Sequence, residues 1–387
     1  MSTRRPRVIQ VITRLIVGGA QLSVLSLCEG LREDYELHII AGPQTGAEGS
    51  LHDRAADVAS LTVLDSLRRE VSPRWDPVAV RSLRKLLRRL DGDIVHTHSS
   101  KAGIVGRFAA SPLRARTVHT IHGWGHTPDD SPARRLAFIT LERVAARRSD
   151  ALIAVSADVR TEGLKLRIGS ERQYTIIPPA VDLEPLDANF EQSRLRARQE
   201  LGLDRDAEVV GWVGRFVDQK DPLTLAAALS TLLRSRPGAR AVLIGDGPRR
   251  DEVRALLDHA GVAARVSCMG VVPEARRLMA GFDVLVHPSL WEGQPVVIQE
   301  SLAERVPVVA ARTSGVEELV KDGVGGYLVK PGSAEEMAAG VRAVLEHATL
   351  RAPLPIAVTA KLRASHGADV AVARHRKLYD GLLGRRR

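Results

Sequence analysis

The strongest constraint on this chain is an alternation that hardly breaks along its length. Short apolar runs, "RVIQVI", "ELHIIAG", "LTVLD", "DIVHTH", "RTVHTIH", "DALIAVS", "EVVGWVG", "RAVLIGD", "RVSCMG", "FDVLVHP" and "PVVAAR", are separated by stretches with helical spacing such as "AQLSVLSLCEGLRE" and "DPLTLAAALSTLLRS". Strands buried on both faces and joined by helices predict an α/β protein built on doubly wound parallel sheets, with ligands at the carboxyl ends of the strands. Hydrophobic residues make up 44% of the chain and aromatics only 3%, so Ala, Val, Leu and Ile must fill the core.

At 387 residues the chain exceeds what one hydrophobic core usually supports. The alternation lapses between about residues 181 and 207, in the polar, loop-rich "VDLEPLDANFEQSRLRARQELGLDRDAE". That lapse places a junction between two similar Rossmann-like domains of roughly six strands each, facing each other across a cleft. The formal charge of +10 favours an anionic partner: nucleic acid, a phosphorylated small molecule or an acidic membrane surface. Scarce aromatics weaken the nucleic-acid reading, because base stacking needs them. Cys28 and Cys268 lie far apart and read as plain buried residues, and the start "MSTRRPRVIQVI" has no long apolar stretch, so a reducing cytoplasm is expected. No segment reaches the ~20 apolar residues of a membrane span.

The stretch "SLWEGQPVVIQESLA" sets Glu292 and Glu300 eight positions apart across Gly293 and Pro295. Pro295 suits a first helical position, so Glu292 falls in the loop after a strand and Glu300 inside the helix. A helix N-terminus between two carboxylates offers free N–H groups to a diphosphate and an acid to the hydroxyls on either side of it, which is the layout of a sugar nucleotide. A solvated helix residue and a dipole partner would look the same in isolation. "GWVGRFVDQKDP" adds Arg215, a planar fork, and Lys220, a point charge, in a βα loop where both can meet a departing diphosphate without a metal. "VITRLIVGGAQLSVL" runs strand, Gly18-Gly19, helix, which permits close backbone approach but equally suits any tight turn. In "LIGDGPRRDEV", Asp246 reads as a turn residue rather than a ligand.

Histidines recur at 96, 98, 119, 122 and 126. His96 and His98 share a strand face, but no carboxylate is interleaved, so core histidines are expected rather than a metal site. His122 ends a strand beside Gly123, where it can bond a sugar hydroxyl. "SSKAG" sets Ser99 or Ser100 at a helix cap and Lys101 in the first turn, where a cation opposes the dipole and suggests an anionic acceptor. "VRSLRKLLRRL" carries leucines on one face and Arg81, Arg84, Lys85, Arg88 and Arg89 largely on the other. This fits a helix packed by its leucines, and also a basic face resting on anionic lipid.

Together these segments, with "IIPPAVD", "MGVVPEARRLMAG" and "GGYLVKPGS", resemble the retaining, nucleotide-sugar-dependent GT-B glycosyltransferases of family 4 over most of the chain. The resemblance implies an acceptor domain over 1–182, a donor domain over 183–365, and a final segment, 366–387, whose helix crosses back to the first. It implies that Arg215 and Lys220 hold the donor diphosphate, that Glu300 holds the ribose hydroxyls, that Glu292 lies against the transferred sugar, and that Gly293 belongs to the donor site. N–H groups at Val296 and Val297 would meet the phosphates, Gly270 and Val271 the base, Gly18 and Gly19 the donor, and His122 the sugar near the reacting bond. No cofactor and no metal are implied. Gln294 departs from the family pattern, where an apolar or aromatic residue is common.

The activity implied is transfer from a UDP- or GDP-sugar to a hydroxyl acceptor with retained configuration. Cell-surface polysaccharide or glycolipid assembly is the expected setting, with cytoplasmic or peripheral inner-membrane residence; a soluble acceptor is the alternative. A sugar-nucleotide epimerase and a silent sugar-nucleotide binding subunit are rivals on the same scaffold.

Overall fold

Val8, Ile9 and Val11 are all fully buried, so the first strand has helices over both faces. The structure is a computed structural model that describes residues 4–44, 48–72, 74–127, 130–187 and 189–384. The chain forms two units, Met1–Asp182 with Ala368–Arg387, and Leu183–Gly367.

In the first unit the strands are β1 (Arg7–Ile12), β2 (Glu36–Ala41), β3 (Ser60–Val63), β4 (Ile94–His98), β5 (Arg116–Ile121), β6 (Ala151–Ala154) and β7 (Tyr174–Ile176). They pair in parallel in the order β3-β2-β1-β4-β5-β6-β7. Strand order reverses between β1 and β4, which opens a crevice at their carboxyl ends. Gly18 and Gly19 follow one of these strands and Ser99 to Lys101 the other. The helix Ala368–Leu382 belongs to this unit: Ala371, Val372 and Tyr379 enter its core, and Tyr35 donates to Asp380 at 2.8 Å.

The second unit repeats the plan with β8 (Glu208–Val213), β9 (Ala239–Ile244), β10 (Val266–Gly270), β11 (Val284–His287), β12 (Val308–Ala311), β13 (Lys321–Asp322) and β14 (Gly325–Val329). The order is β10-β9-β8-β11-β12-β14-β13. Here the reversal falls between β8 and β11, which pair through Val284 with Val210 and Leu285 with Gly211. The loops carrying Lys220 and Glu292 therefore leave adjacent strands, although 72 residues separate them.

The doubly wound parallel α/β arrangement expected from the alternation is present, with corrections. Among the described residues each sheet has seven strands; Tyr174–Ile176, Lys321–Asp322 and Gly325–Val329 are too short or too Gly-rich to register as apolar runs. The junction is not all loop: Phe190–Glu200 is a helix, capped by Asn189 through the Glu191 and Gln192 amides, and its Arg198 is buried against Asp283 at 2.9 Å. Its anchoring is ionic, so apolar periodicity misses it. Cys268 is exposed, since β10 is an edge strand; Cys28 is buried. The leucine face of Asp76–Leu90 is core, with Leu83, Leu86 and Leu87 buried, while Arg81, Lys85, Arg88 and Arg89 stay in solvent.

Candidate active site

In the second unit the site grows from the loops after β8 and β11. They are stitched together by the Leu290 amide donating to the Gln219 carbonyl at 2.9 Å and Gln219 Nε2 donating to the Trp291 carbonyl at 3.1 Å. On this frame Lys220 Nζ meets Glu292 Oε1 at 2.5 Å, the two side chains being 17% and 8% exposed. His287, at the end of β11, places Nε2 3.3 Å from the same oxygen. Burial by itself would raise the Glu292 carboxyl, but the Lys220 charge and the His287 ring outweigh it and hold it well below the usual range. Burial keeps His287 neutral. Glu292 is therefore a fixed, ionised acceptor, and one of the three Lys220 donors is committed to it.

The helix Val296–Ala303 begins one residue later than the sequence suggested, with Pro295 in extended conformation (φ −72°, ψ 116°) just before it. No side chain caps it and its first turn holds no acid, so the amides around Val296 and Val297 form an unneutralised positive end. Glu300 lies more than a turn inside. Burial pushes its carboxyl up to about 7; the Arg276 charge opposes this, and Glu304 adds to it. The loop after β12 packs onto this one: at Gly315 (φ +71°) a Cβ would lie 2.1 Å from the Gly293 carbonyl oxygen. Gln294 is buried and its Nε2 donates to Glu318 at 3.1 Å. Its Oε1 has no partner among the described residues, and the same holds for Ser289 Oγ, Thr313 Oγ1 and both amide atoms of Gln299. Orphaned polar atoms cost about 1–3 kcal/mol each, so a cluster around one loop marks a place built for something other than stability.

Arg215 sits half-buried in the β8 loop. Beside it, Gly245 (φ +134°) approaches so closely that a Cβ would lie 1.8 Å from the Gly214 carbonyl oxygen. Asp246 is the turn residue expected, accepting from the Gly247 amide at 2.7 Å and pairing with Arg250 at 3.1 Å. Gly270 ends β10 at φ +69°, its carbonyl taken by the Gly245 amide at 2.7 Å, and Val271 follows.

In the first unit, His122 follows β5 and its Nε2 lies 3.1 Å from His98 Nδ1. Burial, then the neighbouring His375, lowers it to about 4, so it is neutral at pH 7. Gly18 precedes the helix Gly19–Leu31 in extended conformation, and the first turn carries no acid and no side-chain cap. Ser99 does not cap the helix Ser100–Ala110 through its side chain: its Oγ pairs with Thr13 Oγ1 at 2.7 Å, and Thr13 in turn accepts from the Ala102 amide at 3.1 Å. Ser99 holds φ 62°, ψ 155°, a region that strains any residue with a Cβ. Lys101 is paired with Asp76 and donates to the Glu70 carbonyl at 2.9 Å. Asp76 and the Glu70 carbonyl therefore already hold the Lys101 ammonium. The ring nitrogens of His96 and His98, which a metal would need, are all hydrogen bonded, to Tyr379, Thr120, Gln10 and His122.

His287, Gln10, Tyr379 and Glu318 were not singled out from sequence. His287 had one signal, its place at the end of an apolar strand shortly before Glu292. The other three had none, because their partners lie far along the chain.

The family described as "Glycosyl transferases group 1" matches residues 193–355, and "Glycosyltransferase Family 4" matches residues 17–185. The chain is 30% identical over 320 residues to the UDP-Gal:alpha-D-GlcNAc-diphosphoundecaprenol alpha-1,3-galactosyltransferase of Escherichia coli, covering 81% of each chain. It is also 30% identical to the alpha-D-kanosaminyltransferase of Streptomyces kanamyceticus, over 71% of this chain and 75% of that one. Among solved structures, Anabaena HepE in complex with UDP and glucose superposes with a TM-score of 0.80 at 22% identity, over 96% of this chain and 98% of that one. The sucrose-phosphate synthase of Thermosynechococcus elongatus superposes with a TM-score of 0.82 at 21% identity, over 98% and 100%.

Proposed function

The chain belongs to the family 4 glycosyltransferases of GT-B fold, and on that premise we propose that it transfers a sugar from a UDP-sugar, with retained configuration, to a hydroxyl of a lipid-linked saccharide. The observation that carries the reading is the Lys220–Glu292 pair seated before an uncapped helix with Glu300 inside it. Arg215, the free Lys220 donors and the amides near Val296 and Val297 take the diphosphate, which supplies leaving-group stabilisation without a metal. Glu300 takes the ribose hydroxyls and the Gly270–Val271 backbone takes the base. Gly18 and Gly19 approach the donor.

Glu292 accepts from the transferred sugar and, being ionised, stabilises positive charge as the glycosidic bond loosens. We assign His122 to a hydroxyl of the same sugar. The departing phosphate then takes the proton of the incoming hydroxyl on the same face, which retains configuration. The uridine donor and the lipid-linked acceptor are supported by what the Escherichia coli relative's name states. The solvent-facing cations Arg81, Lys85, Arg88 and Arg89 suit an anionic membrane surface, and among the described residues no helix is long and apolar enough to cross one. The kanosaminyltransferase relative favours a second reading, a soluble aminoglycoside-type acceptor.

The test is thermal shift against UDP-, GDP-, TDP- and ADP-sugars, followed by transfer assays in EDTA with a polyprenyl-diphosphate saccharide or a soluble aminocyclitol. A UDP-sugar should raise the melting temperature in the wild type and not in Arg215→Ala. The lipid-linked product should carry the donor's anomeric configuration by NMR. Stabilisation by another nucleotide only, an inverted product, or loss of activity in EDTA overturns the corresponding part.

A further inference from the structure

His122 does not stand alone: a chain of buried hydrogen bonds runs from it through the first unit to the helix Ala368–Leu382. Its links are His122 Nε2 to His98 Nδ1 at 3.1 Å, His98 Nε2 to Gln10 Oε1 at 2.8 Å and Gln10 Nε2 to Tyr379 Oη at 3.5 Å. Two more follow, Tyr379 Oη to His96 Nδ1 at 2.6 Å and His96 Nε2 to Thr120 Oγ1 at 2.7 Å. Gln10, His96, His98 and Tyr379 are each at most 1% exposed, so water cannot substitute for any partner.

The polarity follows from donor and acceptor chemistry. Gln10 Oε1 can only accept, so His98 must carry its proton on Nε2. His98, buried and neutral, then has a bare Nδ1 and can only accept there, so His122 must donate from Nε2. At the other end Tyr379 accepts from Gln10 Nε2 and therefore donates to His96 Nδ1, which puts the His96 proton on Nε2 for Thr120. In this direction all three histidines adopt the Nε2–H form, the one a neutral imidazole intrinsically favours. Turning the Gln10 amide over would reverse every link and force the less favoured form on all three.

We propose that Tyr379, Gln10 and His98 are positioning residues that lock His122 in its Nε2–H tautomer, so that its Nδ1 is a permanent hydrogen-bond acceptor. This rests on the assignment of His122 to the transferred sugar, and narrows it: His122 accepts from a donor-sugar hydroxyl rather than donating to an oxygen. A sugar lacking that hydroxyl would lose the contact entirely. The C-terminal helix thus supplies a group that acts on the site at a distance of three hydrogen bonds.

The experiment is two-bond 1H–15N correlation of the full chain labelled with 15N-histidine at pH 7.5, with His122 assigned by the signal missing in His122→Asn. The expected wild-type result is a protonated Nε2 and a bare Nδ1. A protonated Nδ1 on His122 would overturn the relay outright, whatever the enzyme transfers. Tyr379→Phe takes His96 out of the relay and leaves the Gln10 amide held only by His98, so the share of His122 protonated on Nδ1 should rise above its wild-type level. With equal populations the apparent donor Kd should rise about twofold at unchanged kcat, because only one tautomer binds the hydroxyl. A single unchanged tautomer in Tyr379→Phe would also overturn it. If the tautomers behave as expected but His122→Asn transfers sugar at the wild-type rate, the relay stands and the assignment of His122 to the sugar falls.

Discussion

Replacing Glu300 with Gln should make the protein more stable and less able to bind its donor. Burial lifts the Glu300 carboxyl from an ordinary 4.5 to about 7. At about 1.36 kcal/mol per pKa unit this corresponds to roughly 3 kcal/mol for keeping the group charged in the folded state. The sign follows from proton binding: between pH 4.5 and 7 the folded state holds more proton than the unfolded one, so stability falls as pH rises through that window. Below it the penalty is absent, and above it the penalty is complete. Glu300→Gln carries no such charge, so at pH 8 it should exceed the wild type by up to ~3 kcal/mol, and by pH 4.5 the two should nearly coincide. For a unit the size of Leu183–Gly367 that is a rise of about 6–12 °C at pH 8. Melts at pH 4.5, 6, 7 and 8, each with and without saturating UDP-sugar, would show both effects. The wild type should gain from the donor, increasingly above pH 7 where the acceptor carboxylate is ionised, and the variant should gain less and by the same amount at every pH. A variant no more stable than the wild type at pH 8, or a difference that does not change with pH, would refute the argument.

The Lys220–Glu292 pair should behave as a unit. Lys220→Met strands a buried carboxylate and should cost about 3–5 kcal/mol in urea unfolding, whereas Lys220→Met with Glu292→Leu should recover much of that, leaving a coupling energy above about 1 kcal/mol; additive losses would contradict the buried pair. Gln294→Met removes a buried acceptor that has no partner among the described residues and forfeits one bond to Glu318, so its melting temperature should hold or rise. If the unpartnered Gln294 oxygen meets a hydroxyl of the donor sugar beside Glu292, discrimination between epimeric donor sugars in kcat/KM should fall about tenfold, the worth of one hydrogen bond; unchanged discrimination would show that it does not.

How much of this was legible beforehand depended on the range over which each interaction is written. Alternation of apolar strands and amphipathic helices is a local pattern, and it specified the parallel α/β plan. The placing of Glu292 in a loop and Glu300 inside the helix after it was legible for a related reason: spacing along one loop and one helix translates directly into spacing in the fold. Tyr174–Ile176 was missed because so short a strand draws its stability from a neighbouring strand, and Gly325–Val329 because its two glycines break the apolar run. Phe190–Glu200 was missed because Arg194 and Arg198 anchor it on Asp283, and a helix held by charge has no apolar stripe to read.

The electrostatic character of the site was the least legible part, and the topology explains why. Strand reversal between β8 and β11 brings Lys220 against Glu292, so the cation expected at the diphosphate also fixes the acid proposed to face the sugar. Reversal between β1 and β4 brings Gln10 on one strand beside His98 on the other, and the returning C-terminal helix adds Tyr379 from 369 residues away. Sequence shows which residues can carry charge or protons. Only the order of the strands shows which charges pair with each other, and here it turns one acid into a fixed acceptor, leaves the other nearly half-protonated at neutral pH, and sets the proton on His122 from a helix distant in sequence.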